Sequence, residues 1–304
     1  MTLLRVRHVT TYDYKDPVEL GAHVVHVRPR DLPYQVVKDF ALHVGPEPTR
    51  VAWGTDHFGN PVGWLFLAGV HDTLRLEAVG EVEVMARPVP DAQATPRWEH
   101  VASQALEPAG ADAAEFTFAS GRVPLMRDAH AWSAASFPPG GAVLACVLDL
   151  MHRFSTEFRF DSTVTTVSTP VSRVLELKAG VCQDFAHLMI AALRTRGVPA
   201  RYVSGYLRTH PPPGKKRLVG ADQSHAWVGC WLGPEHGWID VDPTNALVVQ
   251  DGHVVLGWGR DYADVSPVRG VLLGGGTHTL KVSVDIAPTD EQEEPGQTGL
   301  LMAR

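Results

Sequence analysis

The chain has 304 residues, of which 44% are hydrophobic and 20% are charged, and its formal net charge is −7. That length corresponds to about two domains, and the apolar fraction excludes an intrinsically disordered chain. The acidic balance and the scarcity of clustered lysine and arginine exclude an ordinary nucleic-acid-binding protein. No apolar run approaches the roughly 18–20 residues that a membrane span needs, so we expect no membrane partner.

The cysteine content bears on the compartment. The chain has three cysteines, an odd number that is too small for a disulfide framework at this length. Near the N-terminus, Arg5 and Arg7 are followed by alternating residues, where a signal peptide would place an apolar block. We therefore expect a cytoplasmic protein whose thiols stay reduced.

Residues 1–88 alternate apolar and polar side chains between turn residues, which predicts an N-terminal antiparallel β-sandwich. The predicted strands are Leu4–Val9, Phe40–Val44, Trp64–Leu67 and Leu74–Ala78, with turns at Gly59–Pro61 and Asp72–Thr73. Residues 89–125 are rich in Ala, Pro, Gly and Asp, and this composition predicts a linker.

Residues 126–287 mix helical and strand patterns, which predicts an α+β core. The predicted helices are 141–154, 173–178 and 182–196, and the predicted strands are 201–207, 224–232, 237–242 and 278–286, with a loop at 211–214. The helix that begins at Cys182 is the best defined, because its apolar residues recur at spacings of three and four. Residues 288–304 are polar, and we expect a disordered tail.

The three thiols differ in their surroundings. Cys146 lies in an apolar helix, and Cys230 shares the apolar face of a strand with Val228, so both are expected to be core residues. Cys182 begins a helix directly after Gly180-Val181. Its thiol would meet the positive end of the helix dipole and unpaired backbone N–H groups, which favour the thiolate. Cys182 is therefore a candidate nucleophile, with a partly buried structural thiol as the alternative.

A predicted hairpin places a histidine and an aspartate close together. If Leu232 pairs with Gly237 across the four-residue turn, Trp227 lies opposite Asp242. Asp242 is then the diagonal neighbour of His225, at roughly 7–8 Å between Cα atoms. Asp240 lies one step further away and is expected to cap or to form a salt bridge. Cys182 as nucleophile, His225 as base and Asp242 as the residue that orients it are the three parts of an activated-thiol site.

Zinc binding is a second interpretation of the same residues, because Cys, His and Asp are also zinc ligands. However, only one thiolate would be available near the His/Asp pair, whereas structural zinc sites recruit more Cys and His. We therefore expect no metal at this site.

Four segments of the chain resemble the core of the transglutaminase-like superfamily. They are Gly180–His187, Gly197–Tyr206, Ser224–Trp227 and Gly237–Asn245. Residues 1–88 resemble the β-rich N-terminal domain of its bacterial branch through Thr11–Tyr14, Arg28–Arg30 and Asp56–Asn60, and Gly259–Pro267 is also similar to that branch. The resemblance implies a papain-like core in which Cys182, His225 and Asp242 form a catalytic triad.

The activity implied by the resemblance is acyl transfer through a thioester, on amides of peptides or glutamine-like side chains. Water as acceptor gives hydrolysis and an amine gives transfer, and we favour hydrolysis because water is abundant in a cytoplasm. The expected partner is a peptide or protein substrate. The alternative is a catalytically inactive, protein-binding scaffold, although the intact Cys, His and Asp argue against it.

Further residues are candidates for the substrate groove; the alternative is surface polarity for Asp184 and His187, and half-buried packing for Tyr206 and Tyr262. They are Gln183, Asp184, His187, Tyr206, Trp227 and Tyr262. Gln183 could donate to an oxyanion; otherwise the Cys182 backbone N–H would do so with a second, unassigned donor. The animal cross-linking members of the superfamily depend on calcium. We find no EF-hand-like loop or acidic cluster here, and expect neither a metal nor another cofactor.

Overall fold

The computed structural model describes residues 1–209 and 223–289, so the predicted loop at 211–214 lies outside the described residues. The helices are α1 (Trp98–Gln104), α2 (Ala111–Ala114), α3 (Arg127–Ser133), α4 (Val143–Glu157), α5 (Val171–Leu177) and α6 (Cys182–Arg194). The strands from β1 to β7 are β1 (Thr2–Val25), β2 (Gln35–Gly45), β3 (Arg50–Thr55), β4 (Pro61–Val84), β5 (Arg159–Phe160), β6 (Ala179–Gly180) and β7 (Ala200–Leu207). The remaining strands are β8 (Gln223–Trp231), β9 (Trp238–Asp242), β10 (Leu247–Val248), β11 (His253–Gly259), β12 (Val268–Gly274) and β13 (His278–Pro288). Within these residues, no helix is long and apolar enough to cross a membrane.

The N-terminal sheet is antiparallel, as predicted, but its strands are longer than expected. In β1, Leu4 and Val6 are buried while Arg5 and Arg7 point to solvent, and the strand continues to Val25. The predicted strands at 64–67 and 74–78 are both parts of β4. The predicted turn at Asp72–Thr73 was wrong, because pairing of β4 with β1 continues through this point and only shifts register there.

The N-terminal domain has two layers, and each layer contains one half of β1 and one half of β4. β13 and β2 flank the first half of β1 and the second half of β4, whereas β12 and β3 flank the other halves. Leu65 and Leu67 from one half share a hydrophobic cluster with Leu74 and Leu76 from the other. This packing joins the two layers around one core.

The course of the chain differs from the predicted boundaries in two places. β12 and β13 pair with β1, so residues 268–288 complete the N-terminal sheet. The predicted linker at 89–125 contains α1 and α2, because its apolar residues Val101, Phe116 and Val123 are buried against the rest of the protein. Pro288 is the last residue of β13, and the tail from residue 290 onward lies outside the described residues.

The second domain is the predicted α+β core. Its antiparallel sheet has the order β10-β9-β8-β7-β11, and the apolar face of α6 packs against β7 and β8. In the β8–β9 hairpin, Gly229 pairs with Asp240 and Val228 with Val241, which is the predicted register. The α+β prediction is therefore confirmed.

Two buried carboxamides attach the N-terminal sheet to the outer edge of β11. The Gln35 side chain donates to the Val255 carbonyl at 2.8 Å and accepts from the Val255 N–H at 2.8 Å. The Asn60 side chain donates to the Trp258 carbonyl at 2.7 Å and accepts from its N–H at 2.9 Å. These bonds satisfy backbone groups that a sheet edge would otherwise leave unpaired. They fix the two domains relative to one another.

Candidate active site

Cys182 is the first residue of α6, and the local structure holds it in place. The Asp184 carboxylate accepts a hydrogen bond from the Val181 N–H at 2.9 Å and another from the Thr165 hydroxyl at 2.6 Å. A Cβ atom at Gly180 would lie 2.6 Å from the same carboxylate, so only glycine allows this approach. The thiol of Cys182 therefore sits at the positive end of a 13-residue helix.

Cys182 is partly exposed, whereas the other two cysteines are buried, as predicted. Burial is the main cause that raises the pKa of Cys146, to about 11. Burial likewise raises the pKa of Cys230, well beyond that. Of the three thiols, only Cys182 combines access with a position at a helix N-terminus.

His225 and Asp242 are brought together by the β8–β9 hairpin. His225 Nε2 lies 2.8 Å from Asp242 Oδ2, and both side chains are buried. Burial alone would lower the pKa of His225, but hydrogen bonds to Asp242 and Cys182 outweigh it and raise the pKa to about 10. Burial would raise the pKa of Asp242, yet the hydrogen bonds from His225 and His253 hold it well below its usual range. The pair is thus an imidazolium beside a carboxylate, and the Cys182 thiol is a second hydrogen-bond partner of the ring.

The carboxylate of Asp242 has further partners that sequence reasoning missed. The backbone N–H groups of Thr244 and Asn245 donate to Oδ1, at 2.9 and 3.2 Å. The Asn245 side chain donates to Oδ2 at 2.7 Å, and His253 Nε2 lies 3.3 Å from the same oxygen. The Asp-Pro-Thr-Asn turn was a visible signal for the Thr244 bond, because Asp side chains often accept from the backbone N–H two residues on. Nothing local pointed to His253, which comes from β11.

His225, Asp242 and His253 are also the described residues that most nearly form a metal site, with donor atoms within 4.8 Å of one another. In a tetrahedral zinc site with bonds of about 2.0–2.1 Å, neighbouring ligand atoms lie about 3.3 Å apart. The 2.8 Å between His225 and Asp242 is instead a hydrogen-bond distance. The arrangement fits direct hydrogen bonding better than metal ligation.

A cavity of about 300 Å³ opens beside Cys182, between the core and the N-terminal sheet. The core contributes one wall and β1, β12 and β13 contribute the other. The described lining residues are His8, Thr10, Tyr12, Val181, Cys182, Gln183, Tyr202, Ser204, Ser224, His225, Ala226, Tyr262, Pro267, Val268, Leu280 and Val282. We predicted no site residue in the N-terminal domain, because β1 approaches Cys182 only through the docking of the two domains.

Of the predicted groove residues, Gln183 and Tyr262 line this cavity. The Gln183 amide donates to the Val167 carbonyl at 3.2 Å, which uses one of its two N–H groups. The second N–H of Gln183 and the backbone N–H of Cys182 are therefore both candidate oxyanion donors at the cavity wall.

Asp184 and His187 do not line the cavity, which corrects their assignment to the groove. Asp184 is buried and holds the start of α6, as described above. His187 Nε2 accepts a hydrogen bond from the Tyr262 N–H at 3.2 Å, and burial lowers its pKa to about 4. The neutral His187 ring therefore supports the backbone at Tyr262.

Tyr206 and Trp227 are also buried and do not line the cavity, so their prediction as groove residues was wrong. The Tyr206 hydroxyl lies 2.8 Å from His8 Nδ1, within the interface between the domains. Trp227 is fully buried, with its ring 6.1 Å from that of His225 and 5.1 Å from that of His253. Both side chains are fully buried, so they contribute packing and cannot contact a substrate in the cavity.

Tyr202 is a cavity residue that the sequence analysis did not single out. Its ring centre lies 5.0 Å from that of His187, and it lines the cavity together with Cys182. Burial is the main cause that raises the pKa of Tyr202 well above its usual value, and the neighbouring Cys182 raises it further. The hydroxyl thus stays protonated and can donate next to the thiol.

Asp240 takes the structural role that was predicted for it. Its carboxylate lies 3.3 Å from Arg87 and 3.9 Å from Arg201, and it does not contact His225. Arg201 is buried, with its guanidinium 3.8 Å from the Trp258 ring centre. This ion pair packs beneath the hairpin.

Comparison with known proteins agrees with the fold. The model of the bacterial transglutaminase-like N-terminal region matches residues 4–83, and that of the transglutaminase-like superfamily matches residues 142–243. An uncharacterised protein of Mycobacterium tuberculosis is 37% identical over 291 residues, which are 93% of this chain and 92% of that protein. The chain belongs to the transglutaminase-like superfamily.

Two further relatives are informative. A protein-glutamine gamma-glutamyltransferase of Pseudomonas aeruginosa is 38% identical over 105 residues, which are 33% of this chain and 15% of that enzyme. A crystal structure from Cytophaga hutchinsonii, provisionally named as a cysteine protease, superposes with a TM-score of 0.75 at 21% identity, over 98% of this chain and 94% of that one. It shows that both domains share the fold of this chain.

Proposed function

We propose that the protein is a cysteine-nucleophile enzyme that cleaves amides of peptides or glutamine-like side chains through a thioester. The observation that carries this proposal is that the Cys182 thiol hydrogen-bonds to His225, whose Nε2 lies 2.8 Å from Asp242 Oδ2. An accessible cavity lies on the thiol's open side. A buried imidazolium beside a thiol at a helix N-terminus favours the thiolate.

The acylation step follows from this geometry. The Cys182 sulfur attacks the amide carbonyl carbon and forms a C–S bond, while the carbonyl oxygen takes the negative charge. The imidazolium of His225 donates its proton to the leaving nitrogen as the C–N bond breaks, which leaves a thioester and a free amine. Asp242 keeps the ring oriented and stabilises its charged form.

Charge on the carbonyl oxygen needs donors that are already in place. The backbone N–H of Cys182 is one such donor, because the first N–H groups of a helix have no partner within it. The Tyr202 hydroxyl is the second donor that we propose, since it lines the same cavity.

Deacylation determines the product. Neutral His225 takes a proton from the acceptor, which attacks the thioester carbon, and the C–S bond breaks to restore the thiolate. Water then gives a carboxylic acid, and a primary amine gives a new amide. We favour water as the acceptor, because we propose a cytoplasmic protein whose thiols stay free. The similarity to a gamma-glutamyltransferase instead supports an amine as the acceptor.

The test presents a peptide library to the protein with and without an added primary amine, and product masses are measured. Both reactions release the original amine or ammonia; hydrolysis gives the carboxylic acid from water, whereas transfer gives a new amide with the added amine. Both products are expected to disappear in Cys182→Ala and to persist in Cys146→Ala, because Cys146 is buried away from the cavity. Turnover that survives in Cys182→Ala would overturn the proposal.

A further inference from the structure

The cavity beside Cys182 has a wall that comes from the N-terminal domain. In the sheet, Thr10 pairs with Val282 and Tyr12 with Leu280, and all four residues line the cavity. The buried bonds of Gln35 and Asn60 to β11 hold this sheet against the core. The wall is therefore a fixed part of the site.

Apart from Cys182 and His225, the described side chains that line the cavity carry no charge. Among the described residues that line the cavity, none is Asp, Glu, Lys or Arg. They offer hydroxyl groups, such as those of Thr10 and Ser204, together with aliphatic surface, such as that of Leu280. A neutral group would find both hydrogen-bond partners and apolar contacts there.

His8 is the one other titratable imidazole in this wall, and it is neutral. Its Nδ1 lies 2.8 Å from the Tyr206 hydroxyl and its Nε2 lies 3.0 Å from the Thr10 hydroxyl. Burial lowers the pKa of His8 to about 4, so the ring carries no charge near neutral pH. It therefore offers no countercharge to a ligand.

We propose that this cavity is an acyl-donor subsite, built jointly by the two domains, that accepts uncharged donor groups and rejects charged ones. A charged group that enters would lose its hydration and, away from Cys182 and His225, would meet no opposite charge on the described walls, which is costly. This inference rests on the proposed function, because it assumes that acyl groups reach Cys182 through this cavity.

The test compares three acyl donors of similar length: the p-nitrophenyl esters of N-acetyl-norleucine, N-acetyl-glutamic acid and N-acetyl-lysine. Attack by the Cys182 thiolate forms the thioester, breaks the ester C–O bond and releases p-nitrophenolate, which is followed by absorbance. The mass of the intact protein counts the acyl groups attached, and the masses of its peptides locate them. At neutral pH, we expect the neutral donor to acylate Cys182 at least about tenfold faster than either charged donor.

A charged side chain introduced into the cavity wall should change the relative acylation rates of the three donors. Leu280→Glu is expected to favour the lysine donor and disfavour the glutamate donor, and Leu280→Lys should do the reverse. Leu280→Met is the matched control and should keep the wild-type order. Leu280 is only partly buried, which makes a charged side chain tolerable there. Val268→Glu and Val268→Lys, on β12, repeat the test if the Leu280 variants do not fold.

The outcomes separate the inference from the proposed function. Rapid acylation of Cys182 by all three donors at equal rates would overturn the neutral subsite and leave the thiol chemistry intact. An unchanged order in folded variants that carry the new charge would do the same. If no donor acylates Cys182 in the wild type, the proposed function fails, and the inference fails with it.

Discussion

His253 Nε2 lies 3.3 Å from Oδ2 of Asp242, the oxygen that also bonds His225 at 2.8 Å. One buried carboxylate thus connects two imidazoles from different strands. His253 reaches Asp242 from β11, the strand whose outer edge is bonded to the N-terminal domain. The docking of that domain and the orientation of His225 are therefore structurally linked.

Replacing His253 tests whether it positions Asp242, and through Asp242 the ring of His225. His253→Leu removes a donor to Asp242, so we expect kcat to fall about tenfold with KM nearly unchanged, because His253 does not line the cavity. His253→Gln can still place an N–H near the carboxylate and is expected to recover part of the loss. Equal activity of the two variants would show that His253 only packs.

Tyr202→Phe tests the proposed second oxyanion donor. Loss of one such donor costs roughly 100–1000-fold in kcat in other enzymes, and we expect a loss of about 100-fold in single-turnover acylation. The thermal midpoint should change little, because the phenyl ring can keep its packing on His187. Wild-type acylation rates in Tyr202→Phe would remove this hydroxyl from the mechanism.

The pH dependence of stability should report the charge on His225. Its pKa is raised in the folded protein from 6.5 to about 10, so the stabilisation by its imidazolium is fully present below pH 6.5. That stabilisation is lost as the pH rises from 6.5 towards 10. We therefore expect the free energy of unfolding in urea to fall across this range by more in the wild type than in His225→Gln. Parallel curves for the two proteins would contradict the raised pKa.

Gln35→Ala tests the attachment of the domains. It leaves the buried N–H of Val255 unpaired, which costs about 1–3 kcal/mol, whereas the Val255 carbonyl keeps its hydrogen bond from the Arg30 N–H at 3.1 Å. We expect urea unfolding to show a loss of roughly 1–3 kcal/mol. Gln93→Ala, at an exposed position, is the matched control and should change stability by less than about 0.5 kcal/mol. A similar small effect at Gln35 would argue against its role.

The parts of the site that were predictable are those fixed by local geometry. The four-residue turn at 233–236 determines the register of β8 and β9, and that register brings Asp242 to His225. The apolar spacing of α6 and its start at Cys182 were equally visible, because a helix period can be read from about three turns.

The rest depends on contacts between segments far apart in the chain. Val282 lies beside Thr10 only because β13 pairs with β1, and short-range patterns carry no information on such pairing. His253 meets Asp242 because β11 is added at the far side of β7. For the same reason, Tyr206 was assigned to the groove, although the docked N-terminal sheet buries it.

The central claim is that Cys182 is an activated nucleophile, and the rate of its alkylation tests this most directly. Iodoacetamide is added to the native protein at near-neutral pH, and the labelling of each cysteine is followed by peptide mass spectrometry. Cys182 is accessible beside an imidazolium, whereas burial raises the pKa of Cys146 to about 11 and shields Cys230. We predict that Cys182 is alkylated at least about 100-fold faster than either of them. Equal labelling, or slow labelling of all three, would contradict the account.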